Sequence, residues 1–252
     1  MQPNAITGKK QSIPWTVEQE VALGLQSAPK MAAEFGGESH NARYEQLVHA
    51  VGSQIVENLP KEARDAGGQP TYPFKYHVLA DQKTINAFAL PGGQIFITEA
   101  LLSRLETEGQ LAGVLGHETG HVLGRHSAQQ AAKSELMSGL VGAATVAGSD
   151  SRGHAQMAQA AAQMAANMLT LKYSRTDELQ ADELGLRFMY LAGYDPRSMI
   201  RVMEILEQAS GGATANHPEY SSTHPNPGHR IEDINAHLKE MFPEGVPSGL
   251  KK

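Results

Sequence analysis

The sequence predicts a mainly helical α+β protein in which long helices surround one small antiparallel sheet. Aromatic residues make up only 6% of the 252 residues, a composition that favours helices over sheets. Apolar residues recur three and four positions apart in several long segments, as on one face of a helix. Apolar and polar residues alternate, as in strands, only between residues 74 and 98.

Helices are expected along the chain both before and after the strands. Residues 15–35 and 41–59 form the first two, and the second carries one apolar stripe from Tyr44 to Leu59. Asp195 is expected to cap a later helix that Pro196 begins. The helices after the sheet are predicted at residues 99–105, 108–126, 154–172, 175–191, about 195–208 and about 229–241.

The sheet is expected to be an antiparallel meander of three or four short strands. Three of them are predicted at residues 74–80, 85–90 and 94–98. The turn residues Asp81-Gln82-Lys83 and Pro91-Gly92-Gly93 separate them. The sheet therefore directly precedes the helices at 99–105 and 108–126.

Three regions are predicted along the chain. Residues 1–40 form an arm, loose up to residue 14, and a helix that packs on the core. Residues 41–242 form the main domain, and residues 243–252 form a loose tail. The length suffices to bury one large core or two small ones, and no internal repeat is visible.

Composition excludes several classes of function. A net charge of −6 without a basic stripe argues against a nucleic-acid partner. The chain has no cysteine, which excludes disulfides, thiolate catalysis and thiolate metal ligands. The best candidate for a membrane span, Leu136–Gly148, is shorter than the ~18 apolar residues that a span needs. Any metal site must therefore use histidines and carboxylates.

The strongest functional signal is the segment His117-Glu118-Thr119-Gly120-His121. With 11 histidines in 252 residues, chance produces this pattern about 0.04 times. Leu111, Val114 and Leu115 place it in a helical period, where positions i and i+4 share one face. Two imidazoles so placed can bind one zinc ion, and Glu118 can accept a proton from a zinc-bound water. The competing interpretation is a helix with two surface histidines.

Zinc that keeps a position open for water needs a third protein ligand. In the longer motif His-Glu-x-x-His-x-x-Gly-x-x-His the third histidine would fall at position 127, which is Ser127, and His126 comes one residue early. One residue turns a helical side chain by about 100°. We therefore predict that His126 is a helix-end residue favoured by the helix dipole rather than a ligand.

A later helix offers carboxylates instead. Glu178 and Asp182 are four residues apart and share one face. Glu178 could bind zinc, and Asp182 could accept the free ring N–H of a ligand histidine and fix its tautomer. The competing interpretation is a solvated acidic face, to which Asp177 and Glu183 are assigned.

The third cluster is Ser222-Thr223-His224-Pro225-Asn226-Pro227-Gly228-His229-Arg230. Pro225 favours an extended backbone at His224. A loop histidine near the metal could hydrogen-bond the oxyanion that forms when a peptide is attacked. The competing interpretation is a surface loop with incidental histidines, to which His217, His229 and His237 are assigned.

Together these motifs resemble one family, the zinc metallopeptidases that include the CAAX prenyl protease, HtpX and BepA. The resemblance spans about residues 44–240 and also includes the segment 86–93. The motifs that carry it are His117-Glu118-x-x-His121, Arg175-x-x-Glu178-x-x-Ala181-Asp182, and Ser222-Thr223-His224-Pro225 followed by Arg230.

The resemblance implies a thermolysin-like gluzincin core, with residues 41–242 as the catalytic domain. It implies one Zn²⁺ per chain, held by His117, His121 and Glu178. Asp182 and Arg230 are expected to contact these ligands without binding the zinc themselves. In this family the histidine that corresponds to His224 lies near the metal, where it either helps to stabilise the transition state or caps the zinc in a latent form.

The resemblance also implies that the partner is a polypeptide substrate. The strand residues Asn86, Ala87, Phe88 and Ala89 are expected to pair with the substrate backbone, as exposed strand edges do.

Departures from the family pattern refine this interpretation. The membrane-spanning segments of the prenyl-protease and HtpX branches and the helical repeats of BepA are absent, which indicates a periplasmic or envelope-associated member. No charged-then-apolar signal opens the chain, so membrane association would act through a signal or lipid anchor outside this sequence. The 57 residues from His121 to Glu178 (178 − 121) are a long spacing, and residues 128–170 are expected to be a lid or plug.

Two functions from different classes follow. The first is a zinc endopeptidase that hydrolyses misfolded or membrane-associated envelope proteins. The second is a zinc-dependent, chaperone-like or latent binding factor that rarely cuts, and the intact Glu118 argues against it. A purely structural zinc site is a third interpretation, but such sites usually have four ligands and are rich in cysteine.

Overall fold

A computed structural model of the chain describes residues 2–13, 15–138, 166, 172–209, 224 and 227–252. The predicted helix at 154–172 lies almost entirely outside these residues. The same holds for most of the predicted loop at 210–228 and of the predicted lid at 128–170.

The described residues form a mainly helical α+β fold, as predicted. The eight α-helices among them are α1 (Val17–Glu34), α2 (Ala42–Glu57), α3 (Glu99–Leu102), α4 (Glu108–Leu123), α5 (His126–Ser138), α6 (Arg175–Leu191), α7 (Ser198–Ala209) and α8 (Pro227–Met241). Thr16 and Ser174 begin α1 and α6 with capping boxes, which satisfy two orphan backbone N–H groups each. The predicted bounds of α6 are confirmed.

Most predicted helix boundaries lie within two or three residues of the observed ones, and two differences have a clear structural cause. The single helix predicted at 108–126 is two helices, because Arg125 adopts a φ of 58°, which no continuous α-helix tolerates. The helix predicted from Asp195 begins only at Ser198. The carboxylate of Asp195 accepts hydrogen bonds from the backbone N–H and the guanidinium of Arg197, in the turn that precedes this helix.

The sheet is mixed, so the predicted antiparallel meander is wrong. Its strands β3 (Lys75–Leu79), β4 (Ala87–Ala89) and β5 (Gln94–Thr98) follow the order β3–β5–β4. β5 pairs antiparallel with β4 but parallel with β3. All five residues of β5 are buried. A strand that is apolar on both faces is stabilised in the centre of a sheet, which pushes β4 to an edge.

The central strand contributes to two hydrophobic clusters. Ile95 and Ile97 face the main core, which α2, α4, α6 and α7 line. Phe96 faces the opposite side, where its ring stacks on His77 at 4.5 Å and on Phe88 at 4.9 Å between centroids. This second cluster is covered by α1. The sheet therefore separates α1 from α4, and α4 is buried along its whole length from Gly109 to Leu123.

Residues near both ends of the described chain form backbone hydrogen bonds, and the predicted division into three regions stays a prediction. Near the start, β1 (Gln2–Pro3) pairs antiparallel with β2 (Lys10–Gln11). At the end, Lys251 accepts a hydrogen bond from the backbone of Asp195 at 2.7 Å and donates one to Gly193 at 3.0 Å. Among the residues that the structure describes, none of the helices combines the length and the hydrophobicity of a membrane span.

Glycines allow α4 and α6 to pack backbone to backbone. A Cβ atom at Gly120 would lie 2.9 Å from the carbonyl oxygen of Ala181, and one at Gly185 would lie 3.0 Å from the backbone nitrogen of His117. Real Cβ contacts with backbone are longer than this, so neither position has room for a larger residue. The backbones of the two helices consequently pack directly against each other at these glycines.

Gly120→Ala should therefore destabilise the protein although alanine is the better helix former. We expect the free energy of unfolding to fall by about 2 kcal/mol, because the new methyl group pushes α6 away from α4. The matched control is Gly113→Ala on the same helix, where the added Cβ would lie 3.4 Å from a methyl group of Val202. It should be neutral or stabilising by up to about 1 kcal/mol. Urea unfolding of the metal-free protein measures both, and equal effects would contradict the packing argument.

Candidate metal centre

Four side chains from three parts of the chain converge near the contact between α4 and α6. They are His117 and His121 from α4, Glu178 from α6, and His224. One ligand atom from each lies within 4.8 Å of the others, and all four residues are buried. The two histidine Nε2 atoms are 3.0 Å apart, and the Glu178 carboxylate is 3.5 Å from the Nε2 of His121. Such a set of nitrogen and carboxylate donors suits a transition metal ion.

His117 is oriented by Asp182, as the spacing of the two motifs predicts. Its Nδ1 atom donates a hydrogen bond to the Oδ1 atom of Asp182 at 2.9 Å, which leaves Nε2 facing the cluster. Arg230 from α8 donates from Nε to Asp182 at 2.8 Å and places Nη1 2.8 Å from Glu178. One guanidinium thus compensates two buried carboxylates.

His126 orients the second imidazole, a role that the sequence prediction missed. It is buried and begins α5, so it is not the predicted helix-end residue, and the dipole argument for it is wrong. Its Nδ1 atom lies 2.9 Å from the Nδ1 atom of His121, and its Nε2 atom lies 3.0 Å from the side-chain oxygen of Gln180. It lies outside the convergent group of four donors, consistent with the prediction that it is not a ligand.

These contacts define one arrangement of protons. Burial lowers the pKa of His121 and of His126, so both rings are neutral. The amide oxygen of Gln180 accepts from His126 Nε2–H, which leaves His126 Nδ1 as an acceptor for His121 Nδ1–H. This arrangement places the lone pair of His121 on Nε2, the atom that faces the other donors.

Glu118 lies beside the donors without a hydrogen-bond partner among the described residues. Both of its carboxylate oxygens are buried and unpaired there, and Oε1 lies 3.6 Å from the Nε2 atom of His224. Burial raises the pKa of Glu118, although His224 and His117 oppose the rise. A buried carboxylate that lacks donors and has a raised pKa is suited to accept a proton from a bound molecule.

Charge compensation acts on the other two titratable donors. Burial favours the neutral form of Glu178, but His224 and Arg230 outweigh it and hold the pKa of Glu178 well below its usual value. Burial also favours the neutral form of His224, which for a histidine means a lower pKa. The carboxylates of Glu178 and Glu118 outweigh this effect and raise the pKa of His224. The Glu178 carboxylate is therefore ionised and available as a metal ligand.

Tyr173 and Ser127 also line the cluster, and no sequence motif pointed to them. The ring of Tyr173 stacks on His121 with a centroid separation of 3.9 Å. Its hydroxyl group shares a 2.8 Å hydrogen bond with Ser127, whose own hydroxyl group donates to the carbonyl oxygen of Ala89. The edge strand β4 is thus linked through two side chains to a histidine of the cluster.

The remaining sequence candidates do not belong to the described group of four donors. Glu183 is exposed, and Asp177 closes the capping box of α6. His229 is exposed, His237 is half-buried, and His217 lies outside the described residues. Asn86, which precedes β4, is buried, and its side-chain oxygen has no hydrogen-bond partner among the described residues.

A known family model also matches most of the chain. The model of peptidase family M48 matches residues 50–238, three quarters of the chain. The chain belongs to peptidase family M48. All four donors and Glu118 lie within the matched residues, which supports a metal ion as the group that the donors hold.

Named relatives of the chain are metalloendopeptidases and proteases. It is 34% identical over 187 residues to the mitochondrial metalloendopeptidase OMA1 of Schizosaccharomyces pombe, covering 73% of this chain and 52% of that protein. It is 31% identical over 203 residues to the β-barrel assembly-enhancing protease of Escherichia coli K12, covering 78% and 41%. The corresponding protease of Yersinia pestis is 26% identical over 239 residues, covering 92% and 46%. The chain thus spans about half the length of these relatives.

Loss of Glu178 should release the metal. We expect Glu178→Ala to weaken metal binding at least about tenfold, because the only carboxylate in the described group of four donors is removed. Glu183→Ala, five residues along the same helix but exposed, is the control and should bind as the wild type does. Metal analysis after dialysis measures both, with circular dichroism to show that each variant is folded. Unchanged metal content in a folded Glu178→Ala variant would refute the ligand assignment.

Proposed function

We propose that the protein is a zinc-dependent endopeptidase, a metalloendopeptidase with one Zn²⁺ per chain. The observation that carries this proposal is the convergence of His117, His121 and Glu178 next to the unpaired carboxylate of Glu118. Three protein ligands with a carboxylate base beside them are the arrangement of catalytic rather than structural zinc sites. A chain without cysteine also lacks the usual ligands of a structural site.

The chemistry divides between the metal and Glu118. A zinc ion at the three ligands would supply a Lewis acid that polarises a water molecule and the scissile carbonyl. Glu118 accepts the proton of the attacking water and passes it to the leaving amine. The raised pKa of Glu118 favours this exchange, because it brings the carboxylate closer in basicity to its reaction partners.

His224 is the proposed donor to the oxyanion. Its Nε2 atom lies on the side of the cluster where Glu118 stands, 3.6 Å from Oε1. Its Nδ1 atom lies 2.9 Å from Glu178, which holds the ring in place. A nitrogen fixed in this manner can stabilise charge that develops on the scissile carbonyl at low reorganisation cost.

The edge strand β4 is the proposed binding site for the substrate backbone. Backbone hydrogen bonds join Asn86 to Thr98 and Leu90 to Gln94, so β5 pairs with alternate residues of β4. Ala87 and Ala89 consequently direct their backbone groups away from β5, with the backbone of Phe88 between them turned to β5. All three residues are buried, so pairing requires that this edge is uncovered when a substrate binds. Ser127 donates a hydrogen bond to the carbonyl oxygen of Ala89, so a substrate would have to displace this bond to pair with Ala89. The unpaired oxygen of Asn86 can accept a further substrate N–H.

This mode of binding requires an extended backbone, and therefore an unfolded substrate. We accordingly propose misfolded or membrane-associated envelope proteins as substrates and a periplasmic or envelope-associated location. The relative named β-barrel assembly-enhancing protease supports this assignment, whereas the one named mitochondrial metalloendopeptidase shows that the family is not confined to one compartment. Fractionation of the source cells tests the location, and recovery only in the cytosol would contradict it.

A second candidate function is a latent or chaperone-like zinc protein with little proteolysis. One observation favours it: His224 is itself a member of the group of donors, with Nδ1 3.3 Å from the Nε2 atom of His117. Four protein donors would close the site to water. His224 would then cap the metal instead of stabilising the oxyanion, and the two functions differ in what its removal does.

Glu118→Gln should abolish cleavage and retain the metal. The amide keeps the shape of the side chain but cannot accept the water proton, so we expect a loss of about 100-fold to 10,000-fold in kcat. Casein cleavage measures the rate, and metal analysis the zinc content. Glu183→Gln makes the same chemical change on an exposed site and should leave both unchanged. Full activity of Glu118→Gln would refute the proposed base.

His224→Ala separates the two candidate functions. If His224 stabilises the oxyanion, its removal lowers kcat about 100-fold while three ligands keep the zinc bound. This is the outcome we expect. An increase in casein cleavage would instead show that His224 caps the metal and that the protein is held in a latent form.

A further inference from the structure

The C-terminal end of α4 is capped by the N-terminal hairpin, which lies outside the residues that the family model matches. The side chain of Asn4 donates to the carbonyl oxygen of Leu123 at 2.8 Å, and that of Gln11 donates to Gly124 at 2.7 Å. Such terminal carbonyl groups have no partner within their own helix. Asn4 and Gln11 are both buried, so these bonds are part of the protein interior.

The next residue, Arg125, is held by α1. Its guanidinium donates from Nε to the carboxylate of Glu20 at 2.9 Å and from Nη2 to the same oxygen and to the carbonyl oxygen of Trp15. The hydroxyl group of Tyr72 donates to the other Glu20 oxygen at 2.7 Å. The positive φ of Arg125 is a strained conformation that persists only where the surroundings enforce it.

The turn at Gly124 and Arg125 determines the direction of the His126 side chain. Because the chain reverses at Arg125, His126 leaves the line of α4 and its Nδ1 atom meets the Nδ1 atom of His121 at 2.9 Å. Gly124 completes the turn, since a Cβ atom there would lie 2.5 Å from the Nε2 atom of His126. The backbone at 124–125 is thus shaped around the imidazole that orients a metal-site histidine.

We propose that Asn4, Gln11 and Glu20 are positioning residues for His121, acting through Arg125 and His126. The N-terminal segment thereby fixes the His121 tautomer that presents Nε2 to the metal. This inference rests on the proposed zinc site and deepens it, because it assigns part of the metal affinity to residues 4–20. If these residues had only a structural role, their substitution would lower the free energy of unfolding but leave the tautomer of the His121 ring unchanged.

Glu20→Gln tests the proposal in the full-length protein, with Glu18→Gln as the matched control on the exposed side of α1. The zinc dissociation constant is measured by chelator competition, and the ¹⁵N shifts of the His121 ring are measured in the metal-free protein. Glu20→Gln should weaken zinc binding about tenfold and move the ring shifts toward a mixture of tautomers. Glu18→Gln should leave both unchanged.

Two substitutions at Arg125 separate positioning from stability. Glycine tolerates the φ of 58°, so Arg125→Gly should withstand more denaturant than Arg125→Ala. Both lose the contact with Glu20, so both should lose the same factor in zinc affinity. Wild-type zinc affinity and His121 shifts in Glu20→Gln or in folded Arg125→Gly would overturn the proposal. If these variants do not fold, Gln11→Ala removes one hydrogen bond only and is judged by the same two measurements.

The two proposals fail in different ways. If the wild-type protein binds no zinc, the proposed function is refuted. The His121 ring shifts of the metal-free variants then decide the positioning proposal without any metal.

Discussion

The close packing of α4 on α6 is the constraint on which the centre depends. Gly120 and Gly185 leave no side chain between the two backbones, so a motif on α4 meets a motif on α6 at ligand distance. Bulky residues at this interface would separate His117 from Asp182, which now lie 2.9 Å apart. The same glycines that weaken both helices in isolation are thus what brings the donors together.

Close packing also buries charge, and the structure compensates it locally. Glu178, Asp182 and Glu118 all lie in the interior, where an unpaired carboxylate costs several kcal/mol. Arg230 contacts the first two, which keeps them ionised, whereas no donor among the described residues meets Glu118. His224 and Arg230 thus hold the pKa of Glu178 low and Arg230 holds that of Asp182 low, whereas burial leaves the pKa of Glu118 raised.

Each of the two imidazoles on α4 is oriented from a different direction. His117 is fixed from the core side by Asp182 and Arg230, within the residues that the family model matches. His121 is fixed through His126, whose position depends on residues 4–20 outside that match. A boundary drawn by sequence similarity therefore passes through a single hydrogen-bonded unit. The predicted division between an N-terminal region and a catalytic domain stays a prediction.

The sequence by itself determined the local features: the helical spacing of His117 and His121, that of Glu178 and Asp182, and the bounds of α6. Each depends on residues within a turn or two of the helix, and the composition sufficed for the fold class. Tertiary structure alone decided the strand order, because β5 is placed by burial on both faces. It also decided the role of His126, because the turn before it is held by Glu20, 105 residues earlier. Local spacing determines which side chains share a face, but only packing determines what that face meets.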